Sequence, residues 1–130
     1  VRSADTNVVV RFLADDDVAQ AETARRWFRQ GEVFVSQTVL VETEWVLRSV
    51  LGWKRARVAR SLSTLLRGAM VVVERSSDAL WAVDRHAAGA DFVDMLHLAA
   101  ARRGAVFATF DRTLVRDAGA SSPVPVETLR

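Results

Sequence analysis

The feature that most restricts the fold is a set of short apolar runs that do not alternate. Val33-Phe34-Val35, Met70-Val71-Val72-Val73 and Val106-Phe107-Ala108 show no inside–outside period. Each therefore reads as a strand covered on both faces, as in a parallel sheet flanked by helices. The stretches between them carry helical spacing. Ala21, Ala24, Trp27 and Phe28 form one stripe over residues 18–30, and Val58, Leu62, Leu65 and Leu66 form another over residues 54–67. Ser36 is placed to cap a helix running to about Leu51, Ser77 to cap one through Ala88, and Asp91 to open one reaching Arg103. Gly31, Gly52, Gly89 and Gly104 supply the stops. A short extended piece ending at Asp5 and a short edge strand at Val124-Pro125-Val126 complete the pattern. The expectation is an α/β fold with a mainly parallel central sheet of four to five strands and helices on both faces.

One segment sets two signals against each other. Thr6 to Leu13 can turn helical after Asp5, yet Val8-Val9-Val10 is β-branched and favours a strand. Residues 1–130 fit a single domain with no second one, and half of them are apolar, enough for a continuous core. There is no internal repeat, and both prolines, Pro123 and Pro125, lie in the tail. Neither a membrane-spanning run nor a secretory signal is expected. The absence of cysteine excludes thiol catalysis and thiolate metal sites, and suits a reducing cytoplasm.

The formal net charge is only +2, but Lys54 is the single lysine among 18 basic residues. Arginine's planar fork matches phosphate, so the bias suits a nucleic-acid partner. A genome rich in G and C would produce it too. The distribution is more telling. Arg48, Lys54, Arg55, Arg57, Arg60 and Arg67 follow one another with no intervening acid, which reads either as a solvated helix face or, beside an acidic site, as a phosphate-tracking surface.

In a parallel sheet, ligands bind outside the carboxyl ends of the strands. Asp5 follows the first strand, Glu42 lies in the helix after the second, Asp91 and Asp94 open a later helix, and Asp111 follows the strand at 106–108. If these acids converge, they repel one another unless a cation neutralises them. Hard oxygen ligands select Mg²⁺ or Mn²⁺, as one ion or as two about 3.5–4 Å apart, an arrangement suited to in-line phosphodiester hydrolysis. Each acid also has a plainer role. Asp5 and Asp91 read as helix caps, and Asp111 as a turn residue beside Arg112. Asp94 is harder to explain that way, because it sits among Phe92, Val93, Met95 and Leu96. Periodicity does not separate Glu42 from Glu44.

Four segments in order resemble the motifs of the PIN-domain family, and specifically its VapC-type toxins. Ala4-Asp5-Thr6-Asn7 is similar to the first motif, and Val41-Glu42-Thr43-Glu44-Trp45-Val46-Leu47 to the second. Asp91-Phe92-Val93-Asp94 resembles the third, and Thr109-Phe110-Asp111-Arg112 the fourth. The resemblance implies a three-layer PIN-like fold, with Asp5, Glu42, Asp94 and Asp111 as catalytic metal ligands and Glu42 preferred to Glu44. It makes Asp91, Thr6, Asn7 and Thr109 accessory residues.

The resemblance further implies a metal-dependent endoribonuclease, a homodimer held inactive by a cognate antitoxin in a toxin–antitoxin hetero-oligomer. Arg48, Lys54, Arg55 and Arg112 are expected to meet the RNA. Trp45, Trp53 and the surroundings of Leu47 and Leu51 are expected partner surfaces, with core packing the stronger expectation for Trp45. His97 reads as a helix-packing residue and His86 as structural or solvated. A PIN fold that binds RNA or protein without cutting is the alternative. A receiver domain fits poorly because Lys54 is the only lysine, and a haloacid-dehalogenase-like phosphatase fails because Asn7 replaces the second acid of Asp-x-Asp. No glycine-rich phosphate loop is present.

Overall fold

The computed structural model describes residues 2–101 and 103–130. The chain divides into two compact units, Val1–Ser76 and Ser77–Arg130. The first begins with strand β1 (Arg2–Ser3) and helices α1 (Thr6–Leu13) and α2 (Val18–Phe28). Strand β2 (Val33–Val35), helix α3 (Gln37–Trp45) and a π-helical turn at Val46–Val50 come next, then helix α4 (Arg55–Leu66) and strand β3 (Val71–Val73). The three strands form a parallel sheet in the order β1-β2-β3, with Ser3 opposite Phe34 and Phe34 opposite Val72. Because the strands run in parallel, α1 and α3 both leave from the same edge.

The valine triplet of α1 is helical. Asp5 caps the helix by accepting the Thr6 N–H, while Val9 and Val10 are buried. Burying a valine contributes roughly 1.5–3 kcal/mol, whereas its helix-propensity cost is only a few tenths of a kcal/mol. Packing therefore decides. Helix α1 lies against α2 and α3, and Phe12 stacks on Phe28 with ring centroids 4.1 Å apart. Arg2 ties β1 to the end of α2: its guanidinium donates to the Trp27 carbonyl at 2.7 Å and to that of Gly31, and lies over the Trp27 ring.

The long helix expected from Ser36 to Leu51 changes character part-way. Ser36 caps it by accepting the Val39 N–H, but beyond Trp45 the backbone widens, and the Leu51 N–H donates to the Val46 carbonyl at 3.0 Å. This i→i+5 bond swallows an extra residue. It leaves Leu47 fully buried and Val50 exposed.

The second unit holds α5 (Ser76–Ala87), whose first residue belongs to the preceding unit. It continues with α6 (Phe92–Ala100), β4 (Phe107–Thr109), α7 (Leu114–Ala118) and β5 (Val126–Thr128). Strands β4 and β5 pair in parallel, Phe107 with Val126 and Thr109 with Thr128. Several expected boundaries move. Ser77 lies inside the first turn of α5 rather than capping it. Helix α6 stops at Ala100, and the part of the expected helix that covered Arg102 lies outside the described residues. Strand β5 starts at Val126 because Pro125 has no N–H to donate to a ladder; Pro125 instead accepts from the Phe107 N–H at 2.9 Å.

Helix α7 was not expected from the sequence, being too short to show a period. Gly119 ends it with a positive φ of 71°, and a Cβ there would sit 3.1 Å from the Arg85 guanidinium carbon. The fold is α/β with parallel sheets. Among the described residues no helix is long and apolar enough to cross a membrane.

Candidate functional site

In the first unit, Asp5 stands two residues past the end of β1, exposed, with one carboxylate oxygen accepting the Thr6 N–H at 2.8 Å. The plain capping role is thus real, and it uses one hydrogen bond of a group that can accept several. Thr6 is buried and Asn7 exposed. Glu42 is exposed on α3. Glu44 is its opposite: only 2% exposed, it accepts from Arg48 Nε at 2.7 Å and from Nη2 at 3.4 Å. A buried carboxylate needs such a partner. Arg48, expected to meet RNA, is therefore engaged by Glu44 one turn away.

The second unit gathers the remaining acids. Asp91 caps α6 by accepting the Asp94 N–H at 3.0 Å. Asp94 is half-buried, and its carboxyl is raised above its ordinary value, first by burial and then by the negative charges of Asp91, Asp111 and Asp117; His97 partly offsets them. Among the described residues its carboxylate has neither a hydrogen bond nor an ion pair.

Asp111, just beyond β4, is exposed and behaves differently. The Thr113 N–H and hydroxyl both donate to it at 2.8 Å, holding its carboxyl below the ordinary value, with Arg116 assisting by its charge. The local partner is thus Thr113, not the Arg112 of the turn reading. Thr109 contributes as well, its hydroxyl accepting the Asp111 N–H at 3.0 Å.

Two residues here were not singled out from the sequence: Thr113, which fixes Asp111, and Asp117, which loads Asp94. Both belong to the turn of α7, whose only sequence signal was the repetition of Asp six residues apart. One histidine expectation is overturned and the other sharpens. His97 is exposed, so it is not a packing residue. His86 is buried, with Nδ1 2.9 Å from the Ala90 carbonyl, which selects the structural of its two roles.

Among the expected partner surfaces, Leu47 belongs to the core, while Trp45 is 52% exposed and not a core residue. The π-helical turn that begins just after Trp45 is what sequence periodicity missed. Lys54, Arg55 and Arg112 are all exposed.

Among the described residues no group of three or more His, Asp or Glu side chains stands close enough to hold a metal ion. The donor set is nevertheless of one kind, carboxylate oxygen. In the second unit it leaves Asp94 facing like charges, the condition that a hard divalent cation relieves.

The family model of the PIN domain matches residues 4–119. The chain belongs to the PIN-domain family. PIN domains are generally nuclease modules, typically metal-dependent. The match takes in all four acidic segments of this PIN domain and extends into both of its units. No curated protein and no solved structure matches the chain.

Proposed function

We propose that this PIN domain is a Mg²⁺- or Mn²⁺-dependent endoribonuclease, the VapC-type toxin of a toxin–antitoxin pair, acting in the cytoplasm. In this reading Asp5, Glu42, Asp94 and Asp111 hold one or two ions, with Asp91, Thr6, Asn7 and Thr109 in accessory positions. The observation that carries it is Asp94, a half-buried carboxylate with no bonding partner among the described residues, set in the field of Asp91, Asp111 and Asp117. A fold gains no stability from such a group, and a cation would relieve it. When bound, the ion supplies a water of lowered pKa and charge stabilisation at the phosphorus oxygens. Asp111, kept ionised by Thr113, is ready as a ligand at neutral pH.

RNA rather than DNA, the cognate antitoxin and the homodimer are proposed on the motif resemblance. The test is cleavage of RNA by purified protein with Mn²⁺, with sequencing of the ends made during brief expression. Asp5→Asn and Asp94→Asn are each expected to abolish cleavage while the far-UV circular dichroism spectrum is kept. No cut in any RNA, together with toxicity that survives both substitutions, overturns the hydrolase. RNA binding without cleavage selects the non-catalytic PIN module instead.

A further inference from the structure

In the first unit several arginines are neutralised by acids. Arg11 pairs with Asp16, Arg25 with Asp15 and Arg48 with Glu44. A different situation holds around a concavity of about 430 Å³ at the start of α4, lined by Leu51, Trp53, Lys54, Arg57 and Arg60. No acid occurs between Glu44 and Glu74. Among the described residues Lys54, Arg57 and Arg60 form no ion pair, although all three are exposed. They recur every three residues, Lys54 at the cap of α4 and Arg57 and Arg60 within it, about 4.5 Å further along the axis at each step.

Arg57 is not free to wander. Its guanidinium carbon lies 3.6 Å from the centroid of the Trp53 ring, a close stack that holds the plane of the fork. Trp53 itself is half-buried and anchored through its backbone N–H to the Leu47 carbonyl at 2.9 Å. A guanidinium oriented in advance loses less freedom when it grips a phosphate, and its outer face remains open to a base. A merely solvated face needs neither the concavity nor the stack.

We propose that this concavity binds the phosphodiester backbone of single-stranded RNA, with Arg57 on Trp53 as its anchor and Lys54 and Arg60 beside it. The choice of RNA rests on the ribonuclease reading above. The site would hold substrate by charge and stacking, without reading sequence. Arg57 and Arg60 thereby join Lys54 as RNA-contacting residues, and Trp53 acts as a positioning residue for Arg57.

The experiment measures fluorescence anisotropy of labelled single-stranded oligoribonucleotides with protein carrying Asp94→Asn, in EDTA, so that no cleavage intervenes. Arg57→Ala with Arg60→Ala is expected to weaken binding about tenfold at moderate salt, alike for unrelated sequences. It should also make the plot of log affinity against log salt shallower by about 0.7 for each phosphate no longer gripped. Arg57→Lys keeps the charge but loses the planar stack, so affinity falls several-fold with little change in slope. Trp53→Ala should match Arg57→Lys. If Trp53→Ala fails to fold, Arg60→Ala, at an exposed position, still tests the site.

Equal binding of single-stranded DNA supports recognition of the backbone. Wild-type affinity and salt slope in the double variant overturn the inference, as does binding of polyglutamate or phosphatidylserine vesicles through these residues without binding of RNA. The two readings fail separately. Wild-type cleavage with an unchanged double variant removes only this site, whereas pocket-dependent binding with no cleavage removes only the hydrolase.

Discussion

At Asp94 two costs act on one carboxylate, partial burial and the negative field of Asp91, Asp111 and Asp117. Replacing it with asparagine keeps the shape and removes the charge. In metal-free protein at neutral pH, Asp94→Asn should therefore stabilise the fold by at most about 1 kcal/mol once solvent screening is allowed for, a rise of up to roughly 3–5 °C in Tm by differential scanning calorimetry, while cleavage disappears. A lowered Tm would show that the carboxylate serves the fold rather than a cation. Asp16 presents the reverse case. Its hydrogen bonds from Arg11, at 2.7 Å, hold its carboxyl below the ordinary value of 3.8. For an acid lowered in the folded state, the stabilisation is fully present above the unfolded value and fades as pH falls through the folded one. Urea midpoints should therefore drop less steeply between pH 4 and 2.5 in Asp16→Asn than in the parent (roughly the window below the unfolded carboxylate value). Parallel curves would dismiss the pair as a contributor, as happens for many exposed ion pairs.

Helix α3 offers a test in which two neighbouring acids exchange roles. Glu42 is exposed and proposed as a ligand; Glu44 is buried and bound to Arg48. Glu42→Gln should leave the urea midpoint unchanged and abolish cleavage. Glu44→Gln should retain cleavage by the folded fraction and cost about 1–3 kcal/mol, the usual loss when a buried charge-assisted bond is weakened. If the two variants trade phenotypes, the ligand is Glu44. Periodicity alone did not separate these residues, because both interrupt an otherwise apolar helix. Other elements were more readable. Helix α1 and strand β2 occur at their expected bounds, because a cap or a short buried run marks each of them. Helix α7, a single turn, left no period to detect, and with it went the roles of Thr113 and Asp117. The motif acids could be named from the chain, but which oxygens are already occupied depends on backbone N–H groups and hydroxyls that no spacing reveals.

At the scale of the whole molecule, the four proposed ligands fall two to a unit, Asp5 and Glu42 in the first and Asp94 and Asp111 in the second. Family membership was legible because four motifs in order constrain far more than any one of them. Which of these acids hold an ion was not, since carboxylate position along the sequence says nothing of distance. The proposal that these acids hold one or two cations makes a thermodynamic demand that can be measured. A ligand bound only by the folded state stabilises it by about 2.7 kcal/mol at a hundred times Kd, roughly a 10 °C rise in Tm for a domain of this size. Saturating Mn²⁺ should produce such a shift in the parent protein. Asp5→Asn and Asp94→Asn should each reduce it, because a divalent ion with one carboxylate missing loses both charge and a coordination site. Calcium, which also prefers oxygen donors, should shift Tm without supporting cleavage if the two effects are separable. A manganese shift that survives Asp5→Asn in full, yet vanishes in Asp94→Asn, would confine the ion to the second unit and leave the first with no part in holding it.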